Sequence, residues 1–135
     1  LTAAIADFQR SYRGRLENAA TDHCQRITGV ERRAVVIDED FKVHVHQAGV
    51  PCDLGQLSKG AQDQLYIALR LAIADLLAQD YLLPLIFDDP FPTCDSARLA
   101  NLGATLRQIA LDRQVLVMSH IESLRTWGTP VEVRR

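Results

Sequence analysis

Two short apolar runs, Pro84-Leu85-Ile86-Phe87 and Gln114–Met118, are joined by an amphipathic stretch with Leu99, Leu102, Leu106 and Ile109 on one helical face. This pattern constrains the fold more than any other in the chain. Strand, helix and strand in that order make a βαβ unit, with parallel strands and a right-handed crossover. Both strands run into polar groups: Asp88 and Asp89 follow the first, Ser119 and His120 the second. Ligands bind beyond the carboxyl ends of strands in open α/β sheets, so an acid pair and a histidine are brought to one rim. Each motif alone has a plain structural reading, because Asp-Asp-Pro makes a turn and a histidine can cap a helix. Pro90 is expected to hold Asp89 extended. Asp95 or Ser96 is expected to cap the helix over 95–111.

A second polar group precedes a helix. Leu57-Ser58-Lys59-Gly60 leads into a segment, Leu65 to Ala78, that is apolar nearly all round and broken mainly by Arg70 and Asp75. Such a helix is expected to be buried on most sides, beneath a sheet. Ser58 is a good N-cap, and a helix tip offers free N–H groups and a positive dipole end to a phosphate. Gly60 permits close approach and Lys59 adds charge. Taken alone, the motif is an ordinary cap.

Upstream, Ile5, Phe8, Tyr12, Leu16, Ala19 or Ala20, His23 and Ile27 recur every three or four residues, which predicts a helix from residue 1 to about 27, ended by Gly29. Ala34–Ile37 and Phe41–Val45 read as a hairpin around Asp38-Glu39-Asp40, and 49–55 as a loop. Downstream, 121–127 reads as a short helix and Val131–Val133 as a last strand.

The length, 135 residues, suits one domain, and 47% hydrophobic with 24% charged residues excludes a disordered chain or a fibre. No apolar run reaches the roughly 18 residues of a membrane span. A net charge of −2 does not mark a nucleic-acid binder. Arg10, Arg13, Arg15, Arg26, Arg32 and Arg33 are interleaved with Asp7, Glu17, Asp22 and Glu31, which reads as a solvated helix face. Cys24, Cys52 and Cys94 are odd in number and far apart, as reduced thiols in a cytoplasmic protein are. His44 and His46 with Cys52 could ligate a metal, but the wet face of a hairpin is the simpler reading.

In order, these motifs resemble those of ABC-type ATPases. Leu57-Ser58-Lys59-Gly60-Ala61-Gln62 resembles their signature motif, Leu85-Ile86-Phe87-Asp88-Asp89-Pro90 their Walker B strand, Asp95 their D-loop and His120 their switch histidine. The run Leu57 to Leu77 is most similar to the SMC-like branch, with its SbcC-like, YhaN-like and RecN-like DNA-repair ATPases. The resemblance implies an α/β fold: half of a P-loop NTPase head, with a mainly parallel sheet flanked by helices. Residues 1–28 would be the end of a coiled coil, and 29–135 the C-terminal lobe of the head. No Walker A loop, GxxxxGK[ST], occurs. The chain begins at Leu1 rather than Met and reads as part of a longer protein whose N-terminal half carries that loop; alone it is expected to be inactive.

The resemblance also implies roles. Asp88 would hold Mg²⁺, Asp89 would be the catalytic base, and His120 would contact the γ-phosphate of ATP. Ser58, Lys59, Gly60 and Gln62 would face ATP held by an opposing head, and Asp95 would cross that interface. Implied partners are the Walker A half, a second identical head, DNA through the full protein, and a nuclease subunit, with no membrane. Two departures stand out: Asp89 sits where most members have Glu, and Lys59 where glycine is common. Two other readings are a receiver-like phosphorylatable module and a non-catalytic interaction domain. The first is disfavoured because the acid pair follows a middle strand and the only lysines are Lys42 and Lys59.

Overall fold

The computed structural model describes residues 2–78, 82–89, 91 and 94–133. The chain divides into two compact units, residues 1–81 and 82–135.

The first unit opens with helix α1, Thr2–Thr28, which Gly29 ends in a left-handed conformation (φ 69°), its N–H donating to the Gln25 carbonyl at 2.8 Å. Strands β1 (Arg33–Ile37), β2 (Val43–Gln47) and β3 (Val50–Cys52) form an antiparallel sheet in that order. The expected hairpin is therefore a three-stranded sheet, and residues 50–52 of the expected loop are its third strand. The β2–β3 connection is the two-residue turn Ala48-Gly49, with φ of 52° and 82°, both values positive as a type I′ hairpin requires. Pro51 is accommodated because, among the described residues, β3 pairs with β2 alone. Phe41, expected at the start of β2, lies in the preceding turn with φ 59°. Its N–H donates to the Asp38 carbonyl at 3.0 Å. The Asp38 carboxylate accepts the Asp40 and Lys42 N–H groups at 2.9 Å each and meets His44 Nε2 at 2.9 Å, contacts that hold its pKa below the ordinary carboxylate value, His44 first.

β1 would be an open edge but for α1. Glu17, Thr21 and Gln25, four residues apart, bond to the backbone of Ile37, Val35 and Arg33. The match is geometric: four helical residues rise about 6 Å and two strand residues about 6.6 Å. A polar helix stripe thus satisfies an edge that would otherwise invite pairing.

Helix α2, Lys59–Leu77, packs against α1. Leu16, Ala20, Cys24 and Ile27 of α1 and Leu65, Ala68, Leu71 and Ala72 of α2 are buried. Burial raises the pKa of the Cys24 thiol, which keeps it protonated and unreactive. Gln64 is buried and donates to the Ile27 carbonyl at 3.2 Å, and His23 meets Asp75 at 2.6 Å. The helix was expected to be buried on most sides; Leu65, Ile67, Ala68, Leu71 and Ala72 are buried, whereas Tyr66, Ile73 and Leu77 are exposed. Ile5 and Phe8 of α1 are exposed too, with Phe8 stacked on Tyr12.

The second unit is the expected βαβ. Strands β4 (Leu85–Asp88) and β5 (Val115–Met118) are parallel, with Asp88 opposite Met118, and helix α3 (Ser96–Ile109) lies between them in sequence. A short 3-10 helix, Glu122–Trp127, follows. Val131–Val133 forms no strand; Val131 and Val133 are among the most exposed apolar side chains described. The strands were expected to be buried, yet only one face is: Phe87 is covered, whereas Ile86, Leu116 and Met118 are exposed.

Phe87, Phe91 and Trp127 form a ladder of rings, 6.2 and 5.5 Å between centroids. Gly103 of α3 makes room for it, since a Cβ there would lie 2.7 Å from Trp127 Cε2. Gly103→Ala is expected to cost about 1–3 kcal/mol, read as a lower midpoint of denaturation by fluorescence of Trp127, the single tryptophan.

Candidate functional site

β4 and β5 are parallel and in register, so their carboxyl ends coincide. Asp88 is the last residue of β4 and is exposed, on the same face as Ile86. Asp89 follows with φ 41°, in the left-handed region, instead of the extended backbone expected from a following proline; Pro90 itself lies outside the described residues. Two contacts account for the reversal. The Asp89 N–H donates to the Met118 carbonyl at 2.8 Å, and the carboxylate turns to the end of β5. The conformation costs of order 1–3 kcal/mol, and strain of this kind collects at functional sites.

The carboxylate meets two groups. Ser119 Oγ lies 3.2 Å from Oδ1 and His120 Nδ1 lies 3.1 Å from Oδ2. His120 is largely exposed and Asp89 partly so, which leaves the imidazole Nε2 side and the carboxylate open to a ligand. A carboxylate has about four lone-pair positions, so two remain to accept hydrogen bonds from a water molecule. The structure therefore brings Asp89 and His120 together, with Asp88 adjacent. It adds Ser119, which sequence reasoning placed at the strand end without assigning a role; its position directly before His120 was the available signal.

Asp95 is used differently. It is the N-cap of α3, accepting the Arg98 N–H at 2.8 Å, and its other oxygen lies 3.4 Å from Arg98 Nε.

The remaining candidates lie in the first unit. Ser58 caps α2 as expected, its Oγ accepting the Ala61 N–H at 3.3 Å while its carbonyl accepts the Gln62 N–H at 3.0 Å. These bonds leave the N–H group of Lys59 at the helix tip and the Ser58 hydroxyl proton to face an anion. Ser58 and Lys59 are exposed, whereas Gly60 is buried. Lys59 extends to Asp63 at 3.5 Å. Gln62 turns inward and donates to the carbonyls of Leu54 and Leu57 at 2.9 and 3.2 Å, so it braces the loop before the helix. That loop carries bonds of its own: Asp53 and Gln56 form a capping box around a 3-10 turn, Leu54–Gln56. His44 and His46 stand on the wetter face of β2, with His44 on Asp38 and no Cys52 partner between them.

No family model matches the chain. Its fold matches the C-terminal region of solved SMC head domains. A chain solved in work on ATP-driven dimerisation and DNA-stimulated activation of SMC ATPases is similar with a TM-score of 0.74 at 13% identity, over 96% of this chain and 83% of that one. The SMC head domain from Thermotoga maritima gives 0.68 at 13% identity, over 94% of this chain and 45% of that one. In sequence, the DNA double-strand break repair Rad50 ATPase of Thermoplasma acidophilum is 33% identical over 106 residues, 75% of this chain. The chain spans 12% of the length of that relative.

Proposed function

We propose that this chain is the C-terminal lobe of an ATPase head that hydrolyses ATP between two dimerised heads, in DNA repair or chromosome maintenance. The observation that carries the reading is the Asp89 carboxylate held between Ser119 Oγ and His120 Nδ1 at the ends of two parallel strands. Asp89 would accept a proton from the attacking water and orient it. His120 keeps Nδ1 on Asp89 and offers Nε2 to the terminal phosphate. Asp88, an exposed oxygen donor at the strand end, fits the hard-ligand preference of Mg²⁺, which would neutralise charge on the phosphates. The Ser58-led tip of α2 suits the phosphate of ATP bound by the other head, and Asp95 would lie along the same interface.

The exposed apolar groups support the partners in this reading. Ile86, Leu116 and Met118 leave one face of the β4–β5 sheet uncovered, and parallel sheets are normally covered on both faces. The N-terminal Walker A half of the same polypeptide would cover it. Ile5 and Phe8 would pack in a coiled coil. DNA and a nuclease subunit would act through the full protein, in the cytoplasm.

The test is ATP turnover. This chain and its Walker A half, each alone, are expected to show none with Mg²⁺, and the two together to hydrolyse ATP. Equal activity in the separate parts, or none in the intact full-length protein, would refute the reading.

A further inference from the structure

Ser119 is engaged on both sides. Its Oγ accepts the Ile121 N–H at 3.2 Å and lies 3.2 Å from Asp89 Oδ1. A hydroxyl oxygen that already accepts one hydrogen bond and faces a carboxylate donates its proton to that carboxylate. His120 Nδ1 holds the other oxygen at 3.1 Å. Two consecutive residues of one loop thus grip the two carboxylate oxygens separately. Either contact alone would leave the group free to swing about its Cβ–Cγ bond; the two together set the plane of the carboxylate. The backbone is fixed as well, by the left-handed φ of Asp89 and its N–H bond to the Met118 carbonyl.

We propose that Ser119 is a positioning residue for ATP hydrolysis, which acts through Asp89 by setting the direction in which its free lone pairs face the attacking water. The inference rests on the ATPase reading above. It also bears on the short side chain at position 89. An aspartate reaches less far than a glutamate, so its direction tolerates less error, and a hydroxyl from the neighbouring strand end removes one source of it.

The experiment uses the full-length protein with its Walker A half present, and compares wild type, Ser119→Ala, Ser119→Thr, Asp89→Asn and the Ser119→Ala, Asp89→Asn double variant. Ser119 is exposed, and its loss leaves the aromatic ladder and α3 untouched. Ser119→Ala is expected to lower kcat for ATP roughly 10- to 100-fold, the scale of a misplacement of about 1 Å or less, with KM unchanged. Ser119→Thr, which keeps the hydroxyl, is expected to restore most of the rate. In the double variant the Ser119 change is expected to add no loss beyond that of Asp89→Asn, since a residue that acts through a carboxylate has nothing to position once it is gone. An unchanged kcat in Ser119→Ala, a raised KM with kcat preserved, failure of Thr to rescue, or additive losses in the double variant would overturn the role of Ser119. If Asp89→Asn still abolishes turnover in that case, the ATPase reading stands without it. Absence of turnover in the wild-type protein would overturn both.

Discussion

Asp89→Asn, made in the full-length protein, is expected to lower kcat for ATP by roughly 100- to 10,000-fold, the range that a positioned general base contributes, while ATP binding is retained. The change is a clean one. Asparagine is among the few residues that tolerate a left-handed φ, so the backbone conformation at 41° persists. The amide is isosteric with the carboxylate and can still accept the Ser119 proton through its oxygen. What it loses is basicity and charge. Steady-state turnover with a parallel measurement of nucleotide affinity separates the two outcomes. A variant that binds ATP as before and hydrolyses it at the wild-type rate would remove Asp89 from the chemistry.

The second large effect is structural. Phe91→Ala is expected to destabilise the 82–135 unit by about 3–5 kcal/mol, the usual cost of deleting a buried aromatic ring. Phe91 is 1% exposed and sits between Phe87 and Trp127 in the ladder. Its loss leaves both outer rings without their shared partner, and Trp127 is already seated against Gly103 of α3. The effect reaches the site because Phe87 of β4 is two residues before Asp89, which directly follows the strand. Trp127 fluorescence during denaturant unfolding is the measurement, and a midpoint within error of wild type would contradict the assigned packing.

The βαβ unit was legible because two apolar runs and a helix with Leu102 and Leu106 on its inner face follow simple periodicities, and because Asp95 and Ser58 are residues that cap helices for stated physical reasons. The juxtaposition of Asp89 and His120 followed from the coincidence of parallel strand ends. Three features were not legible. β3 was hidden because Ala48-Gly49 lacks the Asn-Gly or Asp-Gly signal of a two-residue hairpin, and because Pro51 argues against a strand unless it is known to lie at an edge. The grip of α1 on β1 was hidden because Glu17, Thr21 and Gln25 form a polar stripe, which periodicity reads as a solvated face. The φ of Asp89 depends on two long-range contacts, to Met118 and Ser119, that outweigh the local preference set by the next residue.

The burial errors share one cause. Continuous apolar runs in β4, β5 and α2 imply coverage on both sides, yet Ile86, Met118, Tyr66 and Ile73 are exposed in this chain. On the proposed reading these side chains are covered in the assembled protein, whereas the structure of this chain shows only what it covers by itself.

The central claim is that Asp89 of one head and the Ser58-led helix tip of another serve the same ATP. Its most direct test is ATP-dependent self-association of the full-length Asp89→Asn protein, followed by light scattering, with and without Ser58→Arg. The account predicts that Asp89→Asn accumulates as a dimer when ATP and Mg²⁺ are added, because the bound nucleotide is not consumed, and that Ser58→Arg abolishes the dimer by blocking the helix tip. A protein that stays monomeric with ATP, or one that dimerises equally well with arginine at position 58, would contradict it.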